Sequence, residues 1–584
     1  MVALTGTASS IVLQDVQREL GVTEANAVVR AARLDRPELE LKFESVTSID
    51  KREALAKHVG DFMNVYTGSP GGLLVFTRYV DGVLGVHELA NYLTTRLKTH
   101  VGTKIRYFSG KMPKALRNKP TAAQWSREKS QIQRAFISPR GDSFQVLMAT
   151  SAFGMGIDKP SIRKVIHYLA PQSPEAYYQE VGRAARDRAP AEAVMLISDE
   201  AAELTDSILS PSTSIEDARK QYDNRPRGTL AGDFLTTFYF HYNRFSGVQE
   251  EAANLFDALA AIKTRVDAQQ TVVLRYVQQG STSQWDSEAA LEFSLVRLIH
   301  LGFVQDYTKD FNGKTLSVSV AQDWLTARKN LSSYRTRCRE NFEAYVRRYE
   351  TRRTTDLTAE IENAETIVSL ETATLTAMVR YLYSVIEHRR RTATRTMLEL
   401  ARQGVQDAAL ARTRLLHYLQ ASEKFTGALE ELAQANQTGM GWAVIAREAT
   451  LPVEVDELRG AAARVLESYP THPGLLMLNA ITRRIPSESD LARSKEEFEA
   501  ALSVFSRLDS SDTAADMAEE ALQRCRDIDE ALGKHLNAAY SAWSLTHFGA
   551  RFALERAGSD RDTRLGIVKE MLKVARSDIR SITV

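Results

Sequence analysis

Over the first two hundred residues, short apolar runs alternate with helix-like stretches, the pattern of a parallel α/β sheet. Gly72 to Phe76 and Val146 to Met148 read as short strands, the second a buried one, and Lys104 to Tyr107, Val165 to Tyr168 and Ala193 to Ile197 as further strands. Val86 to Leu97 reads as a helix with Leu89, Leu93 and Leu97 on one stripe. A polar stretch from about 208 to 227, with Pro211, Ser212, Ser214 and Pro226, is the best linker candidate. The period then changes. Leu291, Leu295, Leu298 and Ile299 form a helical stripe that stops at Gly302, as a C-terminal cap would. Phe303 to Tyr307, an Asn312-Gly313 turn and the alternating Leu316 to Val320 follow, so residues 228–323 are predicted to hold a winged helix. From 324 to 584 almost everything reads as helix, broken near Gly439 to Gly441, Pro470 to Gly474 and Pro486, with no fixed repeat period.

Composition changes this picture little. A chain of 584 residues with 43% hydrophobic and 26% charged positions has length for several domains and the make-up of a soluble globular protein. Lysine plus arginine less aspartate plus glutamate is 75 − 74, or +1, which neither demands nor excludes nucleic acid, because phosphate binding depends on local clusters. No apolar run is long enough to span a bilayer, and the Met1-Val-Ala-Leu start lacks a basic segment and apolar core, so the cytoplasm is expected. Cys338 and Cys525 are 187 positions apart (525 − 338) and cannot close a four-thiolate zinc site. No zinc is expected.

Two stretches carry chemistry. In Gln145-Val-Leu-Met-Ala-Thr-Ser-Ala-Phe-Gly-Met-Gly-Ile-Asp-Lys-Pro160, the turn with Gly154 and Gly156 lets backbone approach a ligand closely. Asp158 then stands where a carboxylate can meet a ribose or a neighbouring arginine. In Tyr177-Tyr-Gln-Glu-Val-Gly-Arg-Ala-Ala-Arg-Asp187, Arg183 and Arg186 are three apart and are predicted to share a helix face. An arginine so placed can stabilise charge developing on a transferred phosphoryl group. His167, flanked by Ile166 and Tyr168 on a strand, reads as a core histidine rather than a base.

These stretches resemble motifs V and VI of RecQ-like superfamily 2 DNA helicases. Gly72-Leu-Leu-Val-Phe-Thr-Arg78 is similar to motif IV of that family, Tyr107-Phe-Ser-Gly110 to the short motif after it, Leu34-Asp-Arg-Pro-Glu-Leu39 to the connector between motor lobes, and Ala3-Leu-Thr-Gly-Thr-Ala8 to motif III. The resemblance implies a remnant of a first motor lobe and connector at 1–30, then a RecA-like second lobe at 31–207, a parallel sheet with helices on both faces. A winged helix and a long all-α domain would follow. It implies Arg186 as arginine finger, Arg183 as its companion near the γ-phosphate, and Gln179 coupling nucleotide to the lobe interface. Gly154, Gly156 and Asp158 would line the nucleotide side of the cleft. Thr77, Arg78 and Thr150 would lie along a single-stranded DNA track, contacting phosphates; a solvated position is the plainer reading of Arg78. The parent activity would be ATP-dependent 3′→5′ DNA unwinding, in DNA repair or recombination, with ATP and Mg2+ as cofactors and DNA as partner.

The same resemblance exposes a gap. A P-loop and an acidic Walker B pair precede motif III in the family, and here motif III begins at residue 3. Asn312-Gly-Lys-Thr315 contains GKT, but the required earlier glycine would be Thr308; Ser109-Gly-Lys111 has neither the glycines nor a following hydroxyl. Asp199-Glu200 mimics Walker B but follows motif VI, which suits a structural role. Half an ATPase is expected, active only with a first lobe supplied elsewhere: either a truncated gene product or a split helicase with a separate partner chain. The competing reading is a non-catalytic DNA- or protein-binding module with a vestigial motor lobe. Many RecQ proteins carry a four-cysteine zinc module after motif VI, and its absence here fits zinc-free RecQ-like proteins, some of them associated with bacterial defence.

Two arginine-rich stretches lie in the helical half. Arg335, Arg339 and Arg347 share a stripe with Glu343, with Arg348 and Arg352 adjacent and Tyr334, Tyr345 and Tyr349 interleaved. Arg389, Arg390 and Arg391, with Arg395, follow Tyr381 and Tyr383. Each is either a basic surface along a DNA backbone or a solvated face of i,i+4 ion pairs.

Overall fold

The computed structural model describes residues 35–66, 71–97, 105–116, 121–138, 144–154, 158–210, 212–226, 231–266, 270–275, 288–310, 314–347, 355–419, 423–434, 441–450, 452–483, 488–508, 511–557 and 561–582. Two compact units emerge, one from residues 1–213, 221–239 and 391–584, the other from 214–220 and 240–390.

The first unit opens with β1 (Leu39–Ser45), α1 (Lys51–Tyr66), β2 (Gly72–Phe76), α2 (Val86–Arg96), β3 (Ile105–Phe108), α3 (Ala122–Ile137), β4 (Val146–Ala149), β5 (Ile162–His167), α4 (Pro174–Val181) and β6 (Ala191–Ile197). The sheet order is β1-β6-β5-β2-β4-β3, and each neighbouring pair is parallel. Every residue of β2 and β4 is buried, because helices cover both faces of such a sheet. Leu55, Val59 and Phe62 of α1 and Leu89 and Leu93 of α2 pack onto Leu73, Val75, Met148 and Ile166.

The expected strands are present, with β5 and β6 starting at Ile162 and Ala191, earlier than Val165 and Ala193. β1 was hidden by its charges. It is an edge strand, so Lys42 stays half in water between Glu192 at 2.7 Å and Glu40 at 3.2 Å. The expected linker is largely helical: α5 (Ala202–Leu209) runs into it, and α6 (Ile215–Asp223) fills it before α7 (Gly232–Tyr242). Ser214 caps α6 by accepting from the Asp217 amide at 3.1 Å, with Glu216 and Asp217 in the first turn facing the helix dipole. In the core between α1 and α7, the Lys51 ammonium ion-pairs with Asp233 and donates to the Tyr168 carbonyl at 2.7 Å. Both partners are at most 2% exposed. Burial pulls the Lys51 amine below its usual range and pushes the Asp233 carboxyl up, and their mutual attraction opposes both shifts.

The second unit contains α8 (Val248–Arg265), β7 (Thr271–Arg275), α9 (Glu288–His300), β8 (Val304–Asp310) and β9 (Thr315–Val320). The three strands form an antiparallel sheet in the order β7-β9-β8. Helix, strand, helix and hairpin in this order is the topology expected of a winged helix. Leu291, Leu295 and Leu298 are fully buried, and Gly302 ends the α9 region at φ +72°, a backbone state glycine reaches without strain. The expected Asn312-Gly313 turn lies outside the described residues. α10 (Gln322–Ala327), α11 (Leu331–Arg347), α12 (Thr355–Glu362) and α13 (Ile367–Tyr381) complete the unit. The buried Glu371 carboxylate accepts from Lys263 at 2.6 Å, Arg328 at 2.8 Å and the Tyr334 hydroxyl at 3.1 Å.

A π-helical segment, Leu382–Glu387, leads into α14 (His388–Gln406), and from there every element among the described residues is a helix. α15 (Ala408–Leu419), α16 (Glu423–Gln434), α17 (Gly441–Glu448), α18 (Pro452–Ser468), α19 (Pro473–Ile481), α20 (Glu488–Leu508), α21 (Ser511–Ile528), α22 (Glu530–Ala557) and α23 (Arg561–Ile582) all belong to the first unit. The helical half is therefore not one domain from residue 324: residues up to 390 cluster with the hairpin unit, and residues 391–584 with the parallel sheet. Gly404 shows how closely: a Cβ there would meet the Phe43 ring of β1.

Candidate functional site

The two chemistry-bearing stretches meet beyond the ends of β4 and α4. Ser173 caps α4 by accepting from the Ala176 amide at 3.2 Å, and Pro174 opens the helix where no amide partner is needed. The helix lasts only eight residues and ends at Val181. Arg183 and Arg186 therefore do not share a helix face, contrary to their spacing; they stand on successive turns. Ala185 and Arg188 adopt left-handed backbone at φ 53° and 62°, which costs about 1–3 kcal/mol for each such residue. Surrounding contacts hold this conformation. Ala184 and Ala185 are fully buried, and the Ala185 amide donates to the Ile162 carbonyl at 3.0 Å.

Arg36 supplies the other clamp. Its guanidinium donates to the carbonyls of Gly182 at 3.0 Å and Ala185 at 2.5 Å, both on the arginine-bearing turn. Arg412 of α15 in turn holds the segment carrying Arg36, donating to Asp35 at 2.6 and 3.0 Å and to the carbonyls of Leu39 at 2.6 Å and Arg36 at 2.5 Å. Only the connector resemblance at Leu34 to Leu39 pointed to this region from sequence, and it did not reveal these roles. Arg36→Ala should cost about 1–3 kcal/mol for two lost charge-assisted hydrogen bonds. Amide exchange should then accelerate at residues 182–188 while β2 and β4 keep their protection; uniform acceleration would mean a general stability loss instead.

On the turn so fixed, Arg186 reaches back to Asp158 at 3.0 Å, uniting the motif V and VI stretches. The pair is open to solvent, the arginine side chain 37% and the aspartate 77% exposed. Of the alternatives for Asp158, a neighbouring arginine is thus the partner here. Arg183 is half-buried, and burial together with the adjacent Arg186 charge holds its guanidinium below the usual range. Its Nε is buried with no hydrogen-bond partner. Gln179 lies exposed on α4, and Gly154 ends the short turn Ser151–Gly154. Gly156 lies outside the described residues. His167 is in the core as read, stacked on Phe76, with Nε2 2.8 Å from Glu180.

Three residues expected to contact DNA, Thr77, Thr150 and Arg391, are buried. Thr77 is 2% exposed, and its hydroxyl donates to the Leu84 carbonyl at 2.7 Å, so it serves the loop after β2 rather than a phosphate. Thr150 is buried where β4 ends. Arg78 is half-buried. Arg391 is 3% exposed and donates to the carbonyls of Ile208 at 3.2 Å and Thr213 at 2.6 Å. An α-helix turns about 100° per residue, so three consecutive arginines cannot all face one surface. Arg389 is half-buried, Arg390 is exposed over the Phe245 ring, and Arg395 is buried against Glu496 and Glu399. Arg391→Gln should lower Tm and leave the salt dependence of DNA binding unchanged; a flattened salt slope with unchanged Tm would return it to the surface.

The earlier basic stripe resolves towards ion pairing. Arg335 donates to the Ala364 carbonyl at 2.6 Å, Arg339 lies 3.8 Å from Glu343 and 3.5 Å from Glu362, and Tyr334 and Tyr345 are core residues. Arg348, Tyr349 and Arg352 lie outside the described residues, as does the Arg347 side chain. Asp199 pairs with Arg402 at 2.7 Å, and Glu200 accepts from the Ser48 amide. Cys338 and Cys525 are free and buried, which pushes both thiols up to about 12. Among the described residues no helix is long and apolar enough to cross a membrane.

Residues 50–188 match the family model of the helicase conserved C-terminal domain. An ATP-dependent DNA helicase RecQ of Pasteurella multocida is 32% identical over 201 residues, covering 33% of this chain and 26% of that protein. The RecQ-like DNA helicase blm-1 of Caenorhabditis elegans is 55% identical over 67 residues, covering 12% of this chain and 6% of that protein. Among solved structures, the E. coli DEAD-box protein SrmB bound to regulator of ribonuclease activity A matches at 19% identity over 28% of this chain and 78% of that one, with a TM-score of 0.20 that carries no weight. The chain thus spans about a quarter of the Pasteurella relative's length. Arginine-bearing turn, parallel sheet and sequence identity agree on a helicase conserved C-terminal domain at residues 50–188, in a region similar to RecQ helicases.

Proposed function

We propose that this chain supplies the second motor lobe of an ATP-dependent 3′→5′ DNA helicase, and that its ATP chemistry requires a first lobe. The observation that supports it most is the Asp158–Arg186 pair on a turn clamped by Arg36. A guanidinium paired with an exposed carboxylate can exchange that partner for a phosphate without burying an unpaired charge. Arg186 would then face the γ-phosphate, with Arg183 beside it and its orphaned Nε available as a donor. Gly154, Gly156 and Asp158 would line the nucleotide, and Gln179 would link it to the facing lobe. ATP with Mg2+ supplies the transferable phosphoryl group; this chain's part is to hold positive charge where negative charge develops.

None of the 584 residues forms a GxxGxGK[ST] cradle or a DExH segment, so the magnesium-holding side must come from a first lobe, upstream or on a separate chain. DNA is the proposed polymer substrate, bound through phosphates. The lobe is proposed to work without zinc, consistent with two thiols that burial keeps protonated. The test is to fuse or add a P-loop-bearing lobe and measure DNA-stimulated ATP hydrolysis. Turnover that requires both lobes supports the proposal. A correctly assembled two-lobe protein that binds DNA without turnover favours a vestigial motor.

A further inference from the structure

A cavity unrelated to the motif V and VI edge opens among α14, α15 and α18, with Pro174 of α4 at one side. Its volume is about 130 Å3, room for one ring-sized body. One wall is apolar, with Leu400, Leu410 and Leu415. The other carries Arg414 and Arg459, two cations on neighbouring helices, with the Glu399 and Asp456 carboxylates beside them.

The carboxylates around these cations are shared with other arginines. Glu399 is committed to Arg493 and Arg395. Asp490 is shared between Arg414 at 3.7 Å and Arg483 at 3.9 Å, and Arg414 also donates to the Gln403 amide oxygen at 2.7 Å. Arg459 makes no hydrogen bond or ion pair with a described residue. Burial and the neighbouring Arg414 charge pull its guanidinium down, against the attraction of Asp490 and Glu399.

We propose that this cavity binds a small molecule with an aromatic or compact apolar body and a single oxyanion, phosphate or carboxylate, which Arg459 and Arg414 receive. Desolvated guanidinium–oxyanion hydrogen bonds are strong, and the apolar wall rewards a ring. The site adjoins the motor lobe. Tyr418, on its lining, donates to Glu175 of α4 at 2.9 Å, and Arg412 on the same helix α15 holds the segment that clamps the arginine-bearing turn. Occupancy should therefore be felt at α4.

The test uses the full chain with phenyl phosphate, benzoate and the neutral analogue benzyl alcohol, followed by ligand-observed NMR. Phenyl phosphate or benzoate should bind at least about tenfold more tightly than benzyl alcohol, the equivalent of about 1.4 kcal/mol. Whichever anion binds better identifies the phosphate or the carboxylate source. Arg459→Gln should abolish the preference for the anion, and Ala463→Phe should block all three ligands by filling the cavity. On the unaltered chain, hydrogen exchange with the better anion present should slow in α14, α15, α18 and α4, which keeps the test alive should a variant not fold. Equal binding of charged and neutral ligands, unchanged affinity in folded Arg459→Gln and Ala463→Phe, or protection elsewhere would each overturn the proposal.

Discussion

Once a first motor lobe is supplied, Arg186→Ala should lower DNA-stimulated kcat by about 10³- to 10⁵-fold, the range for loss of an arginine finger, or about 4–7 kcal/mol of transition-state stabilisation. The reason is geometric. Arg186 sits on a turn held by three hydrogen bonds and is paired with the exposed Asp158, so little reorganisation separates its resting position from a phosphate. The loss should fall on kcat with little change in KM for ATP, because charge develops on the phosphoryl group in the transition state. Arg183→Ala should also impair turnover. Asp158→Asn frees the guanidinium without removing it and should be far milder. A two-lobe protein whose kcat is unchanged by Arg186→Ala would remove the assignment.

The second large effect is on stability. Lys51→Met should destabilise the first unit by about 3–5 kcal/mol, the cost of stranding a buried charge. Asp233 would be left at 1% exposure with only the Ser198 hydroxyl and backbone groups for company, one carboxylate oxygen already lacking a partner. The double variant Lys51→Met/Asp233→Leu should recover most of the loss, since replacing both members of a buried pair with apolar groups is often close to neutral. Thermal scans of the single and double variants distinguish this from a packing defect, in which the two losses would add.

What the sequence made legible follows from how each residue is constrained. Strands such as Gly72–Phe76 and Val146–Ala149 are buried on both faces, so their apolar runs stand out at any reading. β1 was obscured because an edge strand keeps charges such as Lys42 and Glu40 in water. Motif spacing located Arg183, Arg186 and Asp158 but not their geometry. The helix expected to carry the arginines stops at Gly182, where buried alanines and the Ala185 bond to β5 draw the chain into a left-handed turn. Local reading cannot see Arg36 and Arg412, whose partners lie up to 377 positions away. Nor can it separate Arg391 from Arg390, since one turns into the carbonyls of Ile208 and Thr213 and the next lies outside.

The most direct test of the half-motor reading is DNA-stimulated ATP hydrolysis by the isolated chain, measured beside its Arg186→Ala variant. With no phosphate cradle and no magnesium-holding carboxylates in its 584 residues, both proteins should hydrolyse ATP no faster than buffer containing DNA alone. Steady turnover by the pure chain that disappears in the Arg186→Ala variant would contradict this, because the chain would then hold a complete ATPase.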